Sequence, residues 1–282
     1  MGEGYVETNG IRLWYEDLGD PDGDAIVLVM GATASVVSWP AELLDALTGA
    51  GRRVVRFDNR DIGLSTHIDY ETDPYTLDDM AADTVGLLDA LGIDRAHLVG
   101  ASMGGMICQL IALRHPDRVR SLALLITSPG PDERLSPPSD DVVAVAMRPV
   151  TTDAELEQRT VDLWRALTGR RFPFDEARHR ELAKVDSARG TNPNSAHGIA
   201  VFTAPSRLDA LAAVDVPTLI VHGTEDPIFP YDHGEALAGA IPGSTFVTWP
   251  GVGHEIPAPL GADLIERLHA NIRVNPNIQP GT

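Results

Sequence analysis

A chain of 282 residues with 43% hydrophobic and 22% charged residues has an ordinary globular composition, with length for one large domain or a core carrying an insertion. A formal net charge of −19 argues against nucleic acid or an anionic membrane as partner, because both would be repelled, and leaves neutral or cationic small molecules. The opening MGEGYVETNG has neither basic region nor apolar core, and no run reaches the roughly 18 apolar residues of a membrane span, so a cytoplasmic protein is expected.

Along the chain, the segments around YVET and IRLWYE alternate polar with apolar residues and read as an antiparallel edge hairpin turning at Asn9-Gly10. Buried strands then read as AIVLVM (25–30), RVVRF (53–57), AHLVG (96–100), SLALLIT (121–127), PTLIVHG (217–223) and STFVTW (244–249). Helical patterns separate them, which is the signature of βαβ units: an α/β fold with a mostly parallel central sheet and helices on both faces. Thr76 caps a helix with apolar Leu77, Met80, Ala81, Leu87, Leu88 and Leu91, stopped by Gly92. Another helix follows Ser102, holds Cys108 as a small core residue and ends at Arg114-His115-Pro116, where proline cannot continue it. Since Cys108 is the one cysteine, no intramolecular disulfide can form.

Residues 129–213 contain no convincing strand and open on the Pro- and Ser-rich SPGPDERLSPPSDD. They are expected to form a helical lid inserted between two halves of a core, 1–128 and 214–275, with 276–282 as a tail. Thr152 and Glu155 suggest a capping box leading to Leu156, Leu163, Trp164 and Leu167, and a second lid helix is expected over 174–187. Trp164, Phe172 and Phe174 cluster in the lid, either as its packing core or as cover for a site.

Gly100-Ala101-Ser102-Met103-Gly104 lies between a strand and a helix, the setting in which a G-x-S-x-G turn exposes its serine above a sheet. Ser102 is therefore the candidate nucleophile. A serine hydroxyl is a weak nucleophile near neutral pH and needs a base, and a third group to hold the base's tautomer. Of nine histidines, His254 lies in the loop after the last strand, Pro250-Gly251-Val252-Gly253-His254, at the carboxyl end of the sheet where ligands bind. His197 in the lid is the second choice of base; His97 and His222 fall in strands, and His67, His179, His233 and His269 read as surface residues. The acid should follow the penultimate strand, where Gly223-Thr224-Glu225-Asp226-Pro227 offers Asp226 ahead of Glu225. Backbone N–H groups of Met103 and Ala32 are the candidate oxyanion donors. Thr33, Trp39, Trp164, Phe202 and Ile228 are the candidate substrate-binding residues. No histidine pair has metal-site spacing, so neither metal nor other cofactor is expected.

With these residues in place, the chain resembles the α/β-hydrolase superfamily over nearly its whole core. MGATASVVSWP, RVVRFDNRDIGLST, AHLVGASMGGMICQLIALRHPDRV, HGTEDPIFP and GVGHEIP closely resemble the aclacinomycin methylesterase group of actinobacterial esterases. That resemblance implies an α/β-hydrolase fold, a Ser102, His254, Asp226 triad and oxyanion donors at Ala32 and Met103. Many superfamily members carry His-Gly where this chain has Met30-Gly31, and Met there is a feature of the methylesterase group. Arg60-Asp61-Ile62-Gly63-Leu64-Ser65 is another family hallmark, read here as loop scaffolding.

The expected function is a serine carboxylic-ester hydrolase acting on a neutral, fairly hydrophobic small ester, such as the methyl ester of a secondary metabolite. Cofactor-free perhydrolysis (haloperoxidase-type activity) and carbon–carbon bond hydrolysis use the same three residues and stand as the alternative, with a non-catalytic ligand-binding module behind them. Epoxide hydrolase and haloalkane dehalogenase chemistry needs a carboxylate at the turn, where this chain has Ser102. No heptad repeat points to an oligomer.

Overall fold

The structure, a computed structural model, describes residues 2–190, 192 and 195–273. The tail expected at 276–282 lies outside the described residues. Strands β1 (Gly2–Thr8) and β2 (Ile11–Gly19) form the expected antiparallel hairpin, turning through Asn9 at φ 46° and Gly10 at φ 77°. Two successive positive φ values match the right-handed twist of the strands they join, which suits Asn-Gly. Strands β3 (Ala25–Val29), β4 (Arg53–Phe57), β5 (Ala96–Ala101), β6 (Val119–Leu125), β7 (Thr218–Gly223) and β8 (Thr245–Trp249) complete one eight-stranded sheet in the order β1-β2-β4-β3-β5-β6-β7-β8. β2 pairs antiparallel with β4, and every pairing from β4 to β8 is parallel.

Side chains alternate across β3 and so feed two cores. Val27 and Val29 join Leu98, Leu122 and Met106 on one face; Ile26 and Leu28 join Val99, Leu43 and Leu264 on the other. Helix α1 (Ala41–Gly49) packs on the second face, and α2 (Leu77–Ala90) and α3 (Met103–Arg114) on the first. Thr76 caps α2 in a full capping box with Asp79, and Gly92 at φ 65° ends it, as the sequence pattern predicts. Ten consecutive residues of α3, Met103 to Ala112, are buried, and the single polar one, Gln109, donates from its side chain to Ser128 O at 3.0 Å.

Between β6 and β7 the described residues form helices α4 (Asp140–Ala146), α5 (Asp153–Leu167), α6 (Glu176–Ala188) and α7 (His197–Thr203). The spacing predicts α5 and α6; α4 and α7, seven residues each, leave no periodic signal of their own. The Thr152 box is half made: Thr152 Oγ1 accepts the Glu155 N–H at 3.2 Å, while the Glu155 carboxylate takes the Thr151 N–H at 2.7 Å. Helices α8 (Tyr231–Ala240) and α9 (Gly261–Arg273) follow β7 and β8. No helix among the described residues is long and apolar enough to cross a membrane.

The strand order reverses between β3 and β5. The chain leaves β3 outward to β4 and returns on the other side, so the loops after β3 and β5 diverge above adjacent strand ends and open a crevice there.

One buried pair in this sheet makes acid stability measurable. His97 on β5 is 6% exposed, with Nδ1 2.8 Å from Ser121 Oγ on β6, and burial pushes its pKa down to about 4. The unfolded histidine takes a proton near pH ~6.5 and the folded one does not, so stability is lost as pH falls from there toward about 4. His97→Gln is expected to remove about 2–3 kcal/mol of the difference between urea unfolding free energies at pH 7 and pH 4.5. Equal differences in parent and variant would refute the assignment.

Candidate active site

β5 ends at Ala101, and Ser102 turns the chain into α3 with φ 53° and ψ −120°, a conformation that costs a side-chain-bearing residue ~1–3 kcal/mol. Neighbours hold it there. The Ser102 N–H donates to Leu125 O on β6 at 2.9 Å, and its carbonyl accepts the Gly105 N–H and the Thr127 hydroxyl. Both glycines of the pentapeptide are required by close approach: a Cβ on Gly100 would stand 2.4 Å from Gly104 O, and one on Gly104 would stand 1.9 Å from Val29 O.

Above the ends of β7 and β8, Asp226 and His254 meet this serine. Asp226, 4% exposed, accepts the N–H groups of Ile228 and Phe229 on Oδ1, both at 2.9 Å. Its Oδ2 lies 2.7 Å from His254 Nδ1, and His254 Nε2 lies 2.9 Å from Ser102 Oγ. A carboxylate only accepts, so the proton sits on Nδ1 and the Nε2 lone pair faces the serine hydroxyl. The His254 loop is wedged between two backbones. A Cβ on Gly253 would stand 2.0 Å from Leu167 O at the end of α5, and the His254 N–H donates to that same carbonyl at 2.8 Å.

The loop after β3 closes the other side. A Cβ on Gly31 would stand 3.1 Å from Ser102 Cβ, so the Gly31-Ala32 backbone packs directly on the serine. Met103 opens α3, where its N–H has no carbonyl one turn earlier to receive it and adds to the positive end of the helix dipole.

A hydroxyl, an imidazole and a carboxylate in series are an arrangement that can activate the hydroxyl for attack on a carbonyl. A family model described as the alpha/beta hydrolase fold matches residues 24–258. The chain belongs to the α/β-hydrolase family. A rhodomycin D methylesterase of Streptomyces peucetius is 32% identical, covering 95% of this chain and 97% of the relative. A bifunctional esterase/perhydrolase of Acinetobacter calcoaceticus is 27% identical over 96% of this chain and 99% of its own. An esterase structure from Rhodococcus sp. ECU1013 superposes with a TM-score of 0.79 at 23% identity, covering 97% and 99% of the two chains, and bears on the fold.

In this hydrolase two more histidines stand close to the site. His222, fully buried at the end of β7, donates from Nε2 to Phe229 O at 2.8 Å and lies 3.6 Å from Asp226 Oδ2. Burial pushes its pKa down, so it is a neutral donor. His233 is not the surface residue its sequence setting suggests. It is 5% exposed, donating from Nε2 to Ser136 O and accepting the Ser128 hydroxyl on Nδ1, both at 2.9 Å, because residues 128–136 run over the start of α8. Its i,i+4 spacing from buried Leu237 was the available signal.

The five candidate substrate contacts separate. Phe202 and Ile228 line a cavity of 410 Å³ together with Leu135, Val201, Phe229 and His233. Phe229 links it to His254, the two rings edge-on at 5.6 Å. Thr33 is exposed at the loop after β3, with φ 58°. Trp39 instead packs in the core cluster with Met30 and Leu43, at 2% exposure, and Trp164 packs on His179 between α5 and α6, ring centroids 5.4 Å apart. Neither lines that cavity; each completes a local helix-packing face that residue type alone does not distinguish from a pocket wall.

Proposed function

We propose that this hydrolase is a serine carboxylic-ester hydrolase working through an acyl-enzyme, a reading supported above all by the unbroken Ser102, His254, Asp226 hydrogen-bond chain. Ser102 Oγ attacks the ester carbonyl as its proton passes to His254 Nε2. Asp226 stabilises the imidazolium, and the Ala32 and Met103 N–H groups receive the oxyanion. Collapse breaks the bond to the alkoxy group, which leaves with the proton from His254. Water then attacks the acyl carbonyl with His254 as base, releasing the carboxylic acid and restoring Ser102. Helices α4–α7 serve as the lid.

The substrate is a neutral, fairly hydrophobic small ester, and the methyl ester of a secondary metabolite agrees with the 32%-identical rhodomycin D methylesterase. The cavity supports this: Leu135, Val201, Phe202, Ile228 and Phe229 supply apolar wall, while its charged lining residues, Asp132 and Glu133, are both acidic. A bulky neutral methyl ester is expected to exceed an isosteric ester bearing a carboxylate by at least about tenfold in kcat/KM, since like charges repel at a recognition site. Faster turnover of the anionic ester would overturn the substrate class. Peracid formation in hydrogen peroxide exceeding hydrolysis, or cleavage of a vinylogous diketone in preference to esters, would move the assignment to the perhydrolase or carbon–carbon hydrolase reading.

A further inference from the structure

His197, the second choice of base by sequence, lies instead behind the loop that carries Ala32. It opens α7 and is fully buried. Its Nε2 is 2.7 Å from Arg60 O, and a carbonyl only accepts, so the ring proton sits on Nε2. Nδ1 is thereby left as an acceptor and takes the Thr33 N–H at 3.0 Å.

Both ends of this bridge are anchored. Arg60 is held by a buried two-bond pair with Asp83 at 2.6 and 2.7 Å, and neighbouring Asp61 accepts the Ala196 N–H at 2.9 Å and the Tyr75 hydroxyl at 2.8 Å. Tyr75 stands edge-on to the His197 ring at 6.3 Å. At the other end Thr33 sits at φ 58°, a left-handed conformation that a threonine keeps only under outside constraint. Two residues further on, the Ser35 hydroxyl bonds to the Asp186 carboxylate on α6. The loop after β3 is therefore tied to the helical insertion at Thr33 and at Ser35, while Gly31 rests on Ser102.

We infer that His197 is a positioning residue: by holding the Thr33 N–H it fixes the peptide that follows Ala32, and with it the direction of the Ala32 N–H toward the oxyanion. This rests on the serine-hydrolase reading of the site. The insertion then has a second role besides covering the site, because it supplies the group that completes the oxyanion pocket.

The test compares His197→Leu, which removes the acceptor, with His197→Asn, whose Oδ1 occupies nearly the place of Nδ1. Steady-state ester hydrolysis and binding of an aryl trifluoromethyl ketone are measured on both and on the parent. In His197→Leu, kcat is expected to fall roughly 10–100-fold with KM changed less than about threefold, and ketone affinity to fall in step with kcat/KM. His197→Asn is expected to recover most of both losses. A purely structural histidine predicts losses that follow melting temperature and active fraction, with ketone affinity per active site unchanged. A folded His197→Leu with parental kcat and ketone affinity overturns the inference. If the leucine variant does not fold, His197→Gln, which places its acceptor one bond too far from Thr33, carries the same comparison with the same opposed outcomes. Ser102→Ala in parallel separates the two levels: turnover surviving in that variant sinks the serine-hydrolase reading itself, whereas its loss beside an unaffected His197→Leu sinks only this inference.

Discussion

Ser102→Ala is expected to lower ester turnover by roughly 10⁴–10⁶-fold, because the remaining binding and oxyanion groups cannot form the acyl-enzyme. Stability should move by no more than about 1 kcal/mol: the hydroxyl's partner is His254 Nε2, and alanine inherits the same strained backbone at φ 53°. Intact mass after treatment with a fluorophosphonate is the decisive measurement. The parent should gain one adduct and the variant none. An unlabelled but folded parent would mean that serine and base do not act together, and would favour the ligand-binding reading.

Asp226→Asn is expected to cost roughly 10⁴-fold in kcat with the fold intact, and the surrounding hydrogen bonds dictate why. Oδ1 of Asp226 receives two backbone N–H groups, from Ile228 and Phe229, so an amide at this position keeps its oxygen there. Its NH₂ is then directed at His254 Nδ1, where the carboxylate now accepts at 2.7 Å. His254 must offer a lone pair at Nδ1 and carry its proton on Nε2, facing a serine hydroxyl whose proton it can no longer take. Fluorophosphonate labelling should slow in parallel with kcat, and a loss below tenfold in both would show that Asp226 does not set the tautomer.

These two residues and His254 were legible as a sequence because each sits at a strand end marked by an apolar run, and strand ends on one edge of a parallel sheet come together. The eight strands were legible for the same local reason, although β6 stops at Leu125 where Ile126 turns at φ 44°. The histidines resisted. His197 carries no local mark of burial and His233 only its spacing from Leu237; their partners, Thr33 and Ser128, are 164 and 105 residues away in the chain. Trp39 and Trp164 misled in the opposite direction, since an aromatic near a site-forming loop packs in a core as readily as it lines a pocket.

The sequence by itself determined the strand set, the helix caps, the glycines that permit the Ser102 turn and the order of serine, acid and histidine. Those features depend on side-chain alternation and on φ at single residues, which act within a few positions of one another. Only the tertiary structure decided which nitrogen of His197, His222 and His254 carries the proton, which side chains line the cavity, and that the insertion holds the loop after β3. The first and last depend on a donor meeting an acceptor at about 3 Å from another part of the chain, and the cavity on apolar side chains packed together from separate segments, neither of which residue type and spacing encode.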